Sequence, residues 1–218
     1  PSVVAVFDIG ELDDGRPYFV MELADRGPLD ERLRDPAILD WRADPSGLAR
    51  LITGLAGGLG AIHDAGLVHR DLTPRNILLR SEHGSSTIRG EAEAAEATTI
   101  GRALVRADEH VVIADLGLAK LFTEEAGVSV IGGSSGFRAP EQMDPHGHVG
   151  PWSDVYAVSD LLWRVLTGES LPETESFADR RGDVDPEWRD LLARGLDPDP
   201  ARRPPTIADF AGRALDIL

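Results

Sequence analysis

The residues best suited to chemistry lie in the polar stretch HRDLTPRN, at positions 69–76. It places the carboxylate of Asp71 and the carboxamide of Asn76 five residues apart, directly before the apolar run 77–79. A further carboxylate, Asp115, follows the apolar run 111–114. A positioned carboxylate can orient a hydroxyl and accept its proton, and oxygens of Asp and Asn are ligands that Mg²⁺ prefers. These residue types suit phosphoryl transfer, provided that two neighbouring strands bring their end loops together.

Two strands and a long helix must position these residues. The runs 77–79 and 111–114 are short and apolar, which is typical of strands. Before them, apolar residues recur at helical spacing from Pro45 and stop at Gly66, a residue that readily adopts the left-handed conformation at a helix end. The sequence therefore predicts one long helix that leads into the polar stretch.

The outer strands and the region between the inner ones have different compositions. Apolar runs at 3–8 and 18–23, joined by Asp-Asp-Gly at 13–15, predict a β-hairpin. The stretch from about 81 to 109 is rich in Glu, Ala, Thr and Gly. Its composition cannot support a core of its own, so we expect a solvated excursion there.

The second half of the chain is predicted to be helical. An apolar face from Val155 to Leu166, ending at Gly168, predicts a central buried helix. A shorter helix is expected at 187–196. The last helix should begin at Thr206, since the acidic residue three positions later completes a capping box.

Composition excludes several kinds of protein. The 218 residues carry a formal net charge of -16 and no cysteine, which fits one domain and excludes disulfides and cysteine-ligated zinc. The acidic excess argues against a nucleic-acid partner. No run approaches the roughly twenty apolar residues that span a membrane, so we expect no membrane segment in this chain and a cytoplasmic location. The chain starts with Pro1, which predicts a cut from a longer protein that could be membrane-anchored, and the oligomeric state is open.

Four motifs in the same order resemble those of the protein kinase family. HRDLTPRN follows the family's catalytic-loop pattern, and DLG at 115–117 stands where the metal-binding DFG usually stands. APE at 139–141 resembles the end of the activation segment, and residues 197–204 resemble the family's late D-P-x-x-R-P signature. The resemblance covers nearly all 218 residues and is closest to bacterial, actinobacterial-like serine/threonine kinases.

The resemblance implies an α+β, protein-kinase-like fold. Residues 25–218 would form a mostly helical C-terminal lobe, and residues 1–24 a remnant β-hairpin of the N-terminal lobe with its hinge. The stretch at about 81–109 would then be an unusual insertion in the larger lobe. Such a domain transfers the γ-phosphate of ATP, bound with Mg²⁺, to a hydroxyl of a protein substrate.

The same resemblance assigns roles to single residues. Asp71 would be the catalytic base, and Asn76 and Asp115 would be the Mg²⁺ ligands. Adenine would meet a gatekeeper, two hinge residues and an apolar floor, which are Met21, Glu22, Ala24 and Leu78.

Two residues of the catalytic loop depart from the serine/threonine pattern. Thr73 stands where that pattern has Lys, and Arg75 stands four residues after Asp71, where tyrosine kinases often place Arg. We expect Arg75 to supply the positive charge near the transferred phosphate, although Arg and Lys differ in reach and geometry. Hydroxyl specificity is therefore open between Ser/Thr and Tyr. Candidate acceptors for an activating phosphate are Thr123, Ser129 and Ser135.

Three parts of the family's nucleotide site are absent from the sequence. A glycine-rich loop, a strand lysine and a helix glutamate would all precede Pro1. We therefore expect the chain alone to transfer phosphate poorly or not at all. A pseudokinase or truncated paralogue that acts as a binding module is the alternative. A small-molecule kinase ranks last, because such kinases usually show H-G-D in the catalytic loop and lack A-P-E.

Other conspicuous polar residues are expected to be structural. Glu141 and Arg203 match the family's buried ion pair. His69 should be a packing residue. The pair His146 and His148 lacks a third ligand for a metal. We expect four other histidines to be exposed to solvent, namely His63, His110, His146 and His148.

Overall fold

The computed structural model describes residues 2–34, 44–82, 103–115, 137–171 and 184–218. Within these ranges the strands are β1 (Val6–Glu11), β2 (Pro17–Met21), β3 (Ile77–Ser81) and β4 (Glu109–Ile113). The helices are α1 (Leu29–Arg32), α2 (Pro45–Asp64), α3 (Pro151–Thr167), α4 (Pro186–Gly195) and α5 (Ile207–Ile217), with short 3-10 turns at Pro140–Gln142 and Pro200–Arg202. Two small sheets beside a larger helical body confirm the predicted α+β class.

The first ribbon pairs β1 with β2 in antiparallel fashion. Its turn contains Gly15 at a φ of +83°, a left-handed value that favours glycine. β1 starts at Val6, later than the predicted run 3–8, because the residues before it join β4 instead. Val3 bridges Ile113, and the Val4 N–H donates to the Ile113 carbonyl at 2.9 Å. The first residues therefore tie this hairpin to the second ribbon.

The second ribbon is antiparallel as well, with Ile77 opposite Ile113 and Ser81 opposite Glu109. An antiparallel pair brings the residue before its first strand next to the residue after its second strand. Accordingly, the Ala114 N–H donates to the Asn76 carbonyl at 2.8 Å. The polar residues before β3 and after β4 thus share one end of the ribbon, as the sequence predicts.

Helix α2 begins where a side chain and a proline favour a helix start. The carboxylate of Asp44 accepts the Gly47 N–H at 2.9 Å, and Pro45 occupies the first helical position. The helix ends just before Gly66, whose φ is +75°. Its apolar stripe is buried, and a Cβ on Gly58 would lie 2.7 Å from the Ile113 side chain, so β4 packs directly on this helix.

Helix α3 is the centre of the core. Its apolar residues from Val155 to Leu166 are 0–6% exposed, and it packs against α2, α4 and α5. The helix ends at Gly168, which has a φ of +76° as the sequence predicts. The capping bond from the Asp209 N–H to the Thr206 hydroxyl, 3.1 Å long, opens α5. No helix in the described ranges is both long and apolar enough to cross a membrane.

The expectation of a solvated excursion from about 81 to 109 is wrong at both ends, since Ser81 is 7% exposed in β3 and the second end is buried too. Leu104 and Val105 are 1% and 0% exposed, and the Val105 carbonyl accepts the Arg50 guanidinium at 2.8 Å. Glu109 lies in β4, is 4% exposed, and forms a bidentate ion pair with Arg32 at 2.6 and 2.7 Å. These contacts hold 103–109 on the core. The ion pair with Arg32 is needed because a buried carboxylate without a cation is unfavourable. Residues 83–102 lie outside the described residues.

Candidate active site

The polar stretch 69–76 is anchored to the first turn of α3 by one carboxylate. Asp154 is 1% exposed and accepts the backbone N–H groups of His69 and Arg70 at 2.9 and 3.0 Å. It also contacts His63 Nε2 at 2.8 Å. The expectation that His63 lies in solvent is therefore wrong, because its ring reaches this buried acid from α2. Three donors on one carboxylate fix the start of the loop.

His69 joins the loop to the end of β4. Its ring is 1% exposed, with Nε2 2.9 Å from the Ala114 carbonyl and Nδ1 accepting the Asp71 N–H at 3.3 Å. In this arrangement Nδ1 is the acceptor, and Nε2 can donate to the carbonyl. His69 is thus a structural residue, as predicted, and it sets the backbone of Asp71 beside the strand end.

Asn76 closes the loop from its other end. Its side-chain Nδ2 donates to the Asp71 carbonyl at 2.8 Å, and its backbone N–H donates to the Thr73 carbonyl at 2.9 Å. The amide nitrogen is thus turned into the loop, and the amide oxygen, Oδ1, is the atom that can bind a cation. The predicted base and the predicted amide ligand are therefore held on one short, internally bonded loop.

Asp115 follows β4 on the same end of the ribbon as Asn76, and it is exposed. Its φ is +60°, and that of Arg70 is +67°. Side-chain-bearing residues in this left-handed region cost about 1–3 kcal/mol each, and such residues cluster at functional sites. Arg70 is held in this conformation by Asp154 and by Gln142, whose side-chain amide donates to the Arg70 carbonyl at 2.6 Å.

The donor set fits a hard cation. Asn76 Oδ1 and the Asp115 carboxylate offer oxygen ligands, which Mg²⁺ prefers together with water and phosphate oxygens. In the part of the chain that the structure describes, no group of three His, Cys, Asp or Glu side chains could hold a metal ion. A cation at this end would therefore need further ligands from a bound nucleotide and water.

The connector between β2 and α1 runs beside β3 and carries the predicted adenine contacts. The Arg26 N–H donates to the Leu79 carbonyl at 3.0 Å, and the Leu79 N–H donates to Gly27 at 2.9 Å. Asp25 accepts both the N–H and the hydroxyl of Ser81 at 2.8 Å. Burial acts to raise the pKa of Asp25, but the bonds from Ser81 outweigh it, so that pKa lies below its ordinary value. The connector is thus fixed at two points.

Of the four predicted adenine residues, Glu22 and Ala24 belong to this connector, Met21 directly precedes it, and Leu78 lies beside it on β3. Met21 ends β2 and is 43% exposed. Glu22 forms an ion pair with Arg80, and its N–H donates to the Ala5 carbonyl. The Ala24 N–H donates to no group among the described residues, which leaves it open to a ligand. Leu78 shares a face of β3 with Arg80, because alternate residues of a strand point the same way.

Thr73 and Arg75 have different surroundings. Thr73 is 9% exposed, so its side chain is buried in the loop. The Arg75 side chain is 72% exposed, and its Nε lies 3.5 Å from Asp30 of α1. Arg75 is therefore directed to α1 in the structure, and its expected role near a phosphate stays a prediction.

The predicted buried ion pair between Glu141 and Arg203 is confirmed. The guanidinium donates to both carboxylate oxygens at 2.7 and 2.9 Å, and the Ser153 hydroxyl adds a third bond at 2.7 Å. Burial acts to raise the pKa of Glu141, but these donors outweigh it, so that pKa lies below its ordinary value. Arg203 also stacks over Tyr156 at 4.9 Å. The pair joins the 3-10 turn after 139 to the chain before α5.

Several predicted residues lie outside the described residues, namely Leu116 and Gly117 of the DLG motif and the candidate acceptors Thr123, Ser129 and Ser135. Conversely, sequence reasoning missed the contacts of Asp25 and Asp154. The available signal for Asp154 was an acidic residue at the start of a strongly apolar helix, since a buried carboxylate requires donors.

Comparisons with known proteins give a consistent picture. A family model described as protein kinase domain matches residues 1–211. The serine/threonine-protein kinase PknK of Mycobacterium bovis is 31% identical over 234 residues, covering 100% of this chain and 18% of the relative. PknL of Mycobacterium tuberculosis is 33% identical over 204 residues, covering 90% of this chain and 43% of the relative. The chain thus spans less than half the length of either curated relative.

A solved structure shares the fold. The kinase domain of Mycobacterium tuberculosis PknI superposes with a TM-score of 0.66 at 22% identity. The match covers 100% of this chain and 72% of the solved chain. At this identity the likeness concerns the fold alone.

Proposed function

Because the chain belongs to the protein kinase domain family, we propose that it carries the catalytic centre of a bacterial serine/threonine protein kinase, which transfers the γ-phosphate of ATP to a protein hydroxyl. The observation that supports this most is the anchored loop 69–76. It holds Asp71 and Asn76 at the ribbon end where Asp115 follows β4.

Each polar residue at this end of the β3–β4 ribbon is assigned a role in phosphoryl transfer. Asp71 orients the acceptor hydroxyl and takes its proton as the oxygen attacks phosphorus. Asn76 and Asp115 would hold Mg²⁺, which neutralises charge on the phosphate oxygens when bound. Asp154 and His69 position the Asp71 backbone without touching substrate. Proximity and electrostatics therefore supply the catalysis, as phosphoryl transfer requires.

The nucleotide would be oriented from the connector after β2. Adenine would form hydrogen bonds with the backbone of Glu22 and Ala24, and the open N–H of Ala24 would donate one of them. Met21 would be the gatekeeper, and Leu78 would be the apolar floor under the ring. We propose this set as the adenine site, with the protein substrate on the side of Asp71.

Replacement of the proposed base tests the function. In the complete protein as its gene encodes it, Asp71→Asn should lower kcat for transfer of labelled phosphate roughly 10²–10⁴-fold, because a positioned base contributes about that much. ATP binding should persist. Asp64→Asn, an exposed change at the end of α2, is the matched control and should be neutral. Analysis of the phosphorylated side chains decides between serine or threonine and tyrosine.

Two results would contradict the proposal. Undiminished transfer by Asp71→Asn would remove Asp71 from its role. Absence of transfer in the unchanged complete protein, with ATP still bound, would favour the binding module instead.

A further inference from the structure

A positively charged cluster lies beside the proposed catalytic loop in an otherwise acidic protein. The chain has a formal net charge of -16, yet Arg34 and Arg75 both lie against a single carboxylate, Asp30. Arg34 Nη2 is 2.6 Å and Arg75 Nε 3.5 Å from the same oxygen, Oδ2. Two cations on one anion leave one positive charge uncompensated within the described part of the chain. We name these three residues the Arg34–Asp30–Arg75 cluster.

The cluster is fixed to the loop that carries Asp71. The Asp30 N–H donates to the Pro74 carbonyl at 3.1 Å, and Arg75 is the next residue of that loop. Arg75 stands between the proposed base, Asp71, and the proposed metal ligand, Asn76. A molecule that brings its hydroxyl to Asp71 therefore passes close to this charge.

Both arginines can receive a ligand. Their side chains are 65% and 72% exposed for Arg34 and Arg75, whereas Asp30 is 23% exposed. Arg32 of the same short helix shows the contrasting case, with a 13% exposed side chain and a bidentate bond to Glu109. At 3.5 Å, the contact of Arg75 Nε is too long for a strong hydrogen bond. Its two Nη groups bond to nothing within the described ranges and suit bidentate binding of an anion.

The nearest further acid on this helix does not cancel the charge. Glu31 turns toward Gly27, with Oε2 3.1 Å from the place where a Cβ on that glycine would stand. Its carboxylate thus lies near Gly27, and Asp30 is the acid that meets both arginines. Among the residues that the structure describes, the cluster therefore carries a net positive charge.

We propose that Arg34 and Arg75 bind an anionic side chain of the protein substrate next to the acceptor hydroxyl, so that the kinase prefers acidic substrate segments. This inference rests on the proposed function. The anionic group is a carboxylate of Asp or Glu or the phosphate of a phosphorylated residue. Basic segments, which suit the overall acidic surface, are disfavoured at this point by like charge.

Peptides that differ only in charge test the proposal. The complete protein, with ATP and Mg²⁺, is given one acceptor peptide in four forms, flanked on both sides by Glu, Gln, Lys or phosphoserine. The kcat/KM should be roughly three- to tenfold higher for the Glu form than for the Lys form at low salt, and the ratio should shrink at high salt. Comparison of the Glu and phosphoserine forms shows which anion is preferred.

Reversing the charge of each arginine shows whether the cluster causes the preference for acidic peptides. Arg34→Glu and Arg75→Glu should each lower the Glu-to-Lys ratio by roughly three- to tenfold, mainly through KM of the peptide. Arg213→Glu, an exposed change on α5, should leave the ratio unchanged. A loss of kcat with all four peptides alike would instead show that Arg75 serves the transferred phosphate, and would overturn its role in selection.

A binding measurement separates this inference from the proposed function. Fluorescence anisotropy of the same peptides on the Asp71→Asn protein needs no transfer. Preferential binding of the Glu form, lost in Arg34→Glu, supports the cluster even if no phosphate moves. Efficient transfer without charge preference leaves the proposed function intact and overturns the cluster.

Discussion

The helical body and the β1–β2 hairpin differ in which side chains they bury. In the body, the polar groups Asp154, Glu141 and Arg203 are at most 8% exposed, and each has several partners. In the hairpin, apolar side chains face outward, with Phe7 68% and Ile9 52% exposed. Directed bonds between distant segments therefore define the body, whereas local strand pairing defines the hairpin.

Within the described ranges, few contacts connect the two regions. The Val4 N–H binds the Ile113 carbonyl, the ion pair of Glu22 with Arg80 ties the end of β2 to β3, and Asp25 holds Ser81. Changes in the body should consequently disturb the proposed active site far more than changes in the hairpin. Four substitutions test this difference, and each can be followed by urea unfolding with the fluorescence of the buried Trp163 and Trp188.

The largest effect is expected at the ion pair of Glu141 and Arg203. Arg203→Met leaves Glu141 buried without its cation, which should lower the free energy of unfolding by about 3–5 kcal/mol. Arg202→Met next to it changes a 73% exposed side chain and is the control, expected within about 0.5 kcal/mol. Equal effects of the two would refute the role of the buried pair.

The anchor of the loop should come next. The Asp154 carboxylate has two acceptor oxygens for three donors, and Asp154→Asn replaces one of these oxygens. We therefore expect the free energy of unfolding to fall by about 2–3 kcal/mol. Phosphoryl transfer by the complete protein should fall as well, because Arg70 loses the bond that holds its left-handed backbone. Asp190→Asn, exposed on α4, is the control. Transfer at the unchanged rate would show that the loop keeps its shape without this anchor.

A pH-dependent effect of intermediate size is expected at Asp160 of α3. This residue is 3% exposed, and its Oδ1 has no hydrogen-bond partner in the described part of the chain. Burial raises the pKa of Asp160 to about 7, with the charge of Arg164 acting in the opposite direction. Because the folded state holds the proton more tightly, the free energy of unfolding should fall as pH rises from about 4 to about 7 and should level off above about 7.

Removal of that titration is the test. The free energy of unfolding of Asp160→Asn is compared with that of the unchanged chain at each pH. This difference should be about 1–3 kcal/mol more favourable to Asp160→Asn at pH 8.5 than at pH 5. The measurement is urea unfolding of both chains at the two pH values, with Asp190→Asn again as the control. A constant difference between the two chains across this range would mean that Asp160 does not titrate there.

The smallest effect is expected in the connector after the hairpin. Leu23 is 78% exposed, and Leu23→Ala should change the free energy of unfolding by less than about 0.5 kcal/mol. The same substitution at Leu59, which is 0% exposed in α2, should cost about 2–5 kcal/mol. A comparable cost at both positions would abolish the distinction between the exposed connector and the buried core.

The sequence was informative where chemistry requires fixed residue types in one continuous stretch. Asp71 and Asn76 belong to such a stretch, and the periodicity of α2 and α3 follows from their buried faces. Pairings between distant segments could not be predicted, since His63 and Asp154 are 91 residues apart and nothing in either segment specifies the other. Leu104 and Val105 escaped notice because two apolar residues within a polar stretch show no period.

The closed end of the β3–β4 ribbon has a consequence for protein engineering. Ser81 pairs with Glu109, and the Glu82 N–H donates to the Asp108 carbonyl at 2.8 Å, so both ends of the intervening stretch are already held together. When two chain ends are held together, the entropic cost of joining them grows only with the logarithm of the inserted length, and each doubling costs about 0.6 kcal/mol. This position should therefore accept a fluorescent protein or an affinity tag with little loss of stability, at the opposite end of the ribbon from Asp71.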